Sequence, residues 1–179
     1  GAGVVGSQVA RLLTENSTDL RERVGRPIEL VGVGVRRVDV ERPGIDPSLY
    51  ETDLTALATR PDVDIVVELI GGIEPARTVL LAALSAGKSV VTANKAAVAA
   101  NFDKLMNTAR ENGVEFRFEA SVGGGIPIIR PLNSSLTADE IEEITGILNG
   151  TTNYMLTKMF YEGADYDTVL KEAQANGYA

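Results

Sequence analysis

Apolar residues recur along this chain with two periods, and their alternation predicts a mixed α/β fold. Over residues 4–20, Val5, Val9, Leu12 and Leu13 return at helical spacing behind a glycine turn, which predicts a helix. Residues 28–35 (IELVGVGV) are rich in branched side chains and bounded by Pro27 and by Arg36 and Arg37, which predicts a buried strand. The alternation continues with a strand at 63–70, a helix at 75–86, a strand at 89–92, a helix at 95–112 and a strand at 114–118. Strands alternating with helices of this length build a parallel sheet covered on both faces. After a glycine break at 123–125 the rhythm changes to a helix near 128–136, an apolar strand at 141–148 and helices at 154–161 and 166–176. The pattern thus divides the chain into a first domain over 1–130 and the start of a second, α+β domain over 131–179.

Composition narrows what such a chain does. With 179 residues, 44% of them apolar, it buries a real core. Its 25 acidic and 17 basic residues give a net charge of −8, with no long basic run, which argues against nucleic acid as a partner. No apolar stretch reaches bilayer length and none reads as an export signal, so the expectation is a cytoplasmic protein without a membrane partner. The chain has no Cys and no His, which removes disulfides, thiolate nucleophiles and imidazole acid-base chemistry and leaves Lys, Tyr, Asp, Glu or water for proton transfer.

Gly1, Gly3 and Gly6 fit G-x-G-x-x-G, in which the first glycine permits a tight turn, the second a close approach to a pyrophosphate and the third close helix-to-sheet packing. The backbone N–H groups near Ala2, Val4 and Val5 then face phosphate at a helix N-terminus. An isolated match fits a plain glycine turn equally well. Followed by alternating helices and strands, it predicts a Rossmann-type, doubly wound dinucleotide-binding sheet. Where NAD-selective domains close the second strand with an acid, this chain has Arg36-Arg37, which suits the 2′-phosphate of NADP, although an arginine pair at a strand end also fits an ordinary solvated surface.

Ligands of open α/β sheets lie beyond the carboxyl ends of the strands, which brings Gly71-Gly72 and Thr92-Ala93-Asn94-Lys95 to the nicotinamide half of the cofactor. Gly71 and Gly72 fit close approach to a ribose and equally a simple turn. Lys95 opposes the dipole of the helix it opens, a broken local rule of the kind found at functional sites, and its ammonium can polarise a carbonyl or stabilise an alkoxide. An exposed lysine without a role is the plainer alternative. The turn from Glu119 to Ile126 offers one carboxylate and several carbonyls, an oxygen-only set suited to a hard cation, though most such loops hold none. Residues 149–153 (NGTTN) place small polar groups before a helix, with Thr151 or Thr152 as its N-cap.

Read together, residues 1–6, 64–72 (DIVVELIGG), 87–96 (GKSVVTANKA), 118–132 (FEASVGGGIPIIRPL), 146–156 (GILNGTTNYML) and 176–179 (NGYA) resemble homoserine dehydrogenases across essentially the whole chain. These enzymes interconvert aspartate 4-semialdehyde and homoserine on the route to threonine, methionine and isoleucine. The resemblance implies NADP, or NAD, as cofactor and an amino-acid substrate. It makes Lys95 the active-site lysine, close to both. It places a monovalent cation, usually sodium, at Glu119 with the carbonyls of Val122, Gly124 and Ile126. It puts Gly150 and Thr151 in the substrate pocket, Gly177 and Tyr178 where cofactor and substrate meet, and the intact enzyme in a homodimer or larger assembly. The family's next Glu, and an Asp and Lys central to catalysis, fall beyond Ala179, and its first strand falls before Gly1. The expectation is therefore a piece of a longer enzyme, with a missing strand that leaves two sheet edges unpaired and with little turnover of its own. Two rivals stay open: another nicotinamide-dependent semialdehyde reductase on the same domain, and a dinucleotide-sensing module without chemistry.

Overall fold

The computed structural model describes residues 1–178, which separate into two compact units, Gly1–Ser135 and the segment from Leu136 onward. In the first unit the chain runs α1 (Val4–Glu15), α2 (Ser17–Val24), β1 (Val33–Gly34), β2 (Tyr50–Glu51), α3 (Leu54–Thr59), β3 (Ile65–Glu68), α4 (Ala76–Ser85), β4 (Ser89–Thr92), α5 (Lys95–Glu111) and β5 (Phe116–Arg117). Every strand pair is parallel: β1 with β2, and β3-β4-β5 in that order, with Val66 opposite Val90 and Val90 opposite Phe116. Strands joined through helices on a parallel sheet are the Rossmann-type architecture that the apolar alternation predicts.

The sheet lies in two pieces. Among the described residues, β1 is bonded only to β2, and β3 only to β4. The branched run 28–35 accordingly shows ladder pairing only at Val33–Gly34, with Val35 N–H continuing to the Glu51 carbonyl, because residues 28–32 have no neighbouring strand among the described residues. The main core lies where α4 and α5 cover the three-stranded piece: Leu80, Leu84, Val90 and Leu105 are fully enclosed, with Ala97 and Phe116 beside them. A smaller cluster of Ala10, Val33, Val35 and Ile45 joins α1 to the two-stranded piece.

Several expectations need correction. The single helix over 4–20 is two helices, because Asn16 leaves helical geometry (φ −102°, ψ 20°) between them. Pairing in β3 stops at Glu68, since the Ile70 N–H is taken by the Glu68 side chain. The stretch 46–59 holds elements that apolar period alone does not reveal: Asp46 caps a short 3-10 turn and Asp53 caps α3 through the Ala56 N–H. The helix expected at 128–136 is present in shortened form over 129–135, its larger part a π-helical turn, Pro131–Ser135.

The second unit contains α6 (Gly150–Tyr161) and α7 (Tyr166–Ala175), joined by the buried Met155, Val169 and Ala173. The strand expected at 141–148 is absent from the described residues; Ile147 and Leu148 are 79% and 86% exposed. A strand is stable only when its backbone groups find a ladder, and none lies alongside. No helix is long and apolar enough to cross a membrane among the described residues.

Candidate functional site

The glycine turn is packed as a dinucleotide cradle requires. A Cβ on Gly6 would lie 1.8 Å from the Gly1 carbonyl oxygen, so only glycine lets α1 sit this close to the turn, and one on Gly1 would lie 3.1 Å from the Leu69 carbonyl. The same construction on Gly3 meets nothing within 4 Å, which leaves room for a ligand at the helix start. Gly3 is the N-cap of α1 but offers no side-chain acceptor, and the first turn carries no acid. The N–H groups of Val4 and Val5, whose side chains are exposed, thus point from an uncapped helix N-terminus that favours an anion. The Ala2 carbonyl is tied down by the Ser7 hydroxyl at 3.4 Å.

Arg36 and Arg37 follow β1 after Val35, both exposed, and neither guanidinium has an acidic partner among the described residues. They occupy the strand end at which the glycine motif places the adenosine ribose.

Beyond β3 and β4 opens a cleft of about 400 Å³ lined by Gly71, Gly72, Ala93, Asn94, Lys95, Ala96, Ala120 and Ser121. The fold therefore brings Gly71, Gly72 and Lys95 around one space. Gly71 and Gly72 both have left-handed φ, 83° and 72°, which a side chain would strain. Lys95 is exposed, is the first residue of α5 and makes no ion pair among the described residues. Asn94 caps that helix, its Oδ1 accepting the Ala97 N–H at 3.1 Å and its Nδ2 donating to the Gly72 carbonyl at 2.7 Å. Thr92 is not at the cleft surface: it is fully enclosed, and its hydroxyl donates to Glu68 at 2.6 Å. Glu68 and Ser121 escaped the sequence reading, and Asn94 was expected to face the cofactor but not to cap α5 or to bond the Gly72 carbonyl. A charged residue closing an otherwise apolar strand was the available signal for Glu68.

The Glu119 carboxylate accepts the backbone N–H groups of Ile128 at 2.6 Å, Ile129 at 3.0 Å and Arg130 at 2.7 Å. Burial pushes the Glu119 carboxyl up, but these three donors and the Arg130 charge outweigh it and hold its pKa below the ordinary glutamate value. In the turn that follows, Gly123 and Gly124 adopt φ 70° and 59°. The carbonyls of Val122, Gly124 and Ile126 accept no backbone hydrogen bond among the described residues, an oxygen set that fits a hard cation. A larger cleft of about 740 Å³ runs along the outer edge of β5, past Phe116, Arg117 and Phe118, away from Lys95 and the glycine turns.

In the second unit, Asn149, not Thr151 or Thr152, is the N-cap of α6, its Oδ1 accepting the Thr152 N–H at 2.8 Å. Gly177, with φ 73°, closes α7: the N–H groups of Gly177 and Tyr178 return to the carbonyls of Gln174 and Ala173, a Schellman ending. The Thr151 hydroxyl donates to the Tyr178 carbonyl, and the Tyr154 and Tyr178 rings meet edge to face at 5.0 Å. Gly150, Thr151, Gly177 and Tyr178 thus form one group. Behind them Glu172 accepts the Tyr154 hydroxyl at 2.6 Å and Lys158 Nζ at 2.7 and 2.9 Å. The Glu172 pKa is lowered, by the Lys158 hydrogen bond first and the Tyr154 hydroxyl next, and that of Lys158 is raised, chiefly by Glu172.

Comparison with known proteins agrees over the whole length. Residues 1–119 match the family model for the homoserine dehydrogenase NAD-binding domain, and residues 127–179 match that for homoserine dehydrogenase. The homoserine dehydrogenase of Corynebacterium glutamicum is 51% identical over all of this chain, and that of Mycobacterium tuberculosis 49%. The chain spans about 40% of the length of these curated relatives. Among solved structures, a homoserine dehydrogenase from Thiobacillus denitrificans superposes with a TM-score of 0.90 at 44% identity, covering 100% of this chain and 42% of that one. A hyperthermophilic archaeal homoserine dehydrogenase in complex with NADPH superposes at 0.75 with 29% identity, covering 99% of this chain and 60% of that one. On these matches, and on a glycine cradle and a lysine cleft in a fold of parallel strands, the chain belongs to the homoserine dehydrogenase family.

Proposed function

We propose that this chain supplies the cofactor cradle, the catalytic lysine and part of the substrate pocket of an NADP-preferring homoserine dehydrogenase. The observation that carries the reading is the cleft that joins Gly71, Gly72 and Lys95 beyond β3 and β4. The nicotinamide, when bound, carries the hydride exchanged with the carbinol carbon of homoserine or the aldehyde carbon of aspartate 4-semialdehyde. The N–H groups at Ala2, Val4 and Val5 hold the pyrophosphate, with Gly1, Gly3 and Gly6 clearing its approach. Arg36 and Arg37, free of acidic partners among the described residues, take the 2′-phosphate. Gly71 and Gly72 shape the nicotinamide side and Thr92 supports it from beneath through Glu68; in the second unit, Gly177 is assigned to the cofactor. Lys95 polarises the reacting oxygen and stabilises alkoxide charge, for which its exposed, unpaired ammonium suffices.

Gly150, Thr151 and Tyr178 contact the amino-acid substrate. Glu119, Val122, Gly124 and Ile126 would hold a monovalent cation, sodium by preference, which would fix the turn that carries Ala120 and Ser121 into the cleft wall. Assay of the intact enzyme carrying this sequence with homoserine and NADP tests the proposal; turnover of a different alcohol with none of homoserine overturns it in favour of another semialdehyde reductase.

A further inference from the structure

Glu68 is 2% exposed at the end of β3, and no Lys or Arg side chain lies within ion-pairing distance of it among the described residues. Burying a carboxylate without a side-chain ion pair is expensive, and a well-packed apolar residue would serve a strand end better if folding alone were at stake. The site accepts that cost where ligands of α/β sheets bind.

Its hydrogen bonds show what it holds. Oε1 accepts the Ile70 N–H at 2.6 Å, which fixes the chain as it enters Gly71-Gly72. Oε2 accepts the Thr92 hydroxyl at 2.6 Å. The Thr92 oxygen in turn accepts the Asn94 N–H at 3.0 Å, the bond next to Lys95. The Asn94 amide lies 3.5 Å from Oε1 and donates to the Gly72 carbonyl at 2.7 Å. One carboxylate therefore anchors both walls of the cleft, the glycine turn and the start of α5. The Lys95 side chain is exposed and unpaired, so its placement depends on this backbone anchor.

We propose that Glu68 is a positioning residue of the reaction, which sets Lys95 against the Gly71-Gly72 turn through Thr92 and Asn94. The proposal rests on Lys95 acting as described above. Glu68→Gln keeps the shape but turns an amide N–H toward the Thr92 hydroxyl, so the chain of donors to Asn94 is reversed at one link.

In the intact enzyme, assayed with homoserine and NADP, Glu68→Gln is expected to lower kcat by about 10- to 100-fold, the scale of a misplacement near 1 Å, with a smaller change in KM. In a Lys95→Ala background the same substitution is expected to lower kcat less than about twofold, because the group it positions is gone. An equal loss in both backgrounds overturns the proposal, since that is what general loss of structure produces. Should Glu68→Gln fail to fold, Thr92→Val cuts the same chain at its next link and is expected to behave likewise, while Thr92→Ser recovers most of the loss. If Lys95→Ala is crippled and Glu68→Gln and Thr92→Val leave kcat unchanged, the positioning role alone is overturned. Full turnover by Lys95→Ala overturns the reading of Lys95 and this inference with it.

Discussion

In the first unit the groups around the cleft are fixed from beneath by Glu68, Thr92 and Asn94, exposed by 2%, 0% and 5%. In the second, Thr151 and Tyr178 are fixed by Tyr154, Lys158 and Glu172, all partly open to water. The difference is physical. Inside a low-dielectric core a hydrogen-bonded carboxylate is costly to disturb and holds its partners in one geometry. A half-exposed ion pair is screened by salt and gives way at small cost. The lysine proposed to meet a reacting oxygen is served by the rigid arrangement, and the turn proposed to contact substrate by the compliant one.

The largest expected effect tests the rigid side. Lys95→Ala in the intact enzyme should lower kcat with homoserine by about 10²- to 10³-fold, the loss typical of one donor to a developing oxyanion, while NADPH still binds. Turnover that survives unchanged would make the cleft a sensor of dinucleotide without chemistry. Next in size, replacing Arg36 with Asp and Arg37 with Ser should weaken NADPH binding by about 10- to 100-fold, with NADH binding little changed, because only the former carries the phosphate they would pair with. Fluorescence titration of both cofactors measures this, and equal losses for the two would remove the arginines from the cofactor's recognition.

Much of the rigid side was legible in the sequence because it follows from periodicity and local chemistry. The strand 89–92 and the helix beginning at Lys95 lie where apolar spacing puts them, and the glycine motif marks a turn that the Gly6–Gly1 contact allows only to glycine. Glu68 was not legible, since its importance comes from Thr92 and Asn94, 24 and 26 positions away, brought together only by strand pairing. The strand expected at 141–148 failed for the complementary reason: apolar, branched composition proposes a strand, but ladder partners decide it. Thr151 and Thr152 drew the cap assignment by residue type, yet Asn149, one residue before the helix, has the extended backbone a cap requires.

A smaller effect probes the second unit. Gly177→Ala forces a side chain into left-handed backbone at the Schellman ending of α7, at about 1 kcal/mol or more. The expected outcome is a modest drop in thermal stability and a raised KM for homoserine, as the Tyr178 carbonyl shifts from Thr151. An altered KM with no change in the melting profile would show that the glycine serves ligand clearance and not the helix ending.

The smallest expected effect comes from Glu172→Gln, and its pH dependence distinguishes the compliant arrangement from a buried one. The Glu172 carboxyl has a folded pKa below its unfolded value, so its contribution is present above the ordinary glutamate range and fades as pH falls through the lowered value. Lys158 has a raised folded pKa, so its share is intact below the ordinary lysine range and is lost only as pH climbs through the raised value. Across neutral pH both are charged. The variant should therefore melt slightly below the parent at pH 7, converge with it in acid once Glu172 is protonated, and lose most of the difference in about 1 M salt, where the screening length falls to about 3 Å. A deficit that persists undiminished in salt would mean that Glu172 acts through its hydrogen bond to the Tyr154 hydroxyl, and that the second unit holds its turn as firmly as Glu68 holds the cleft.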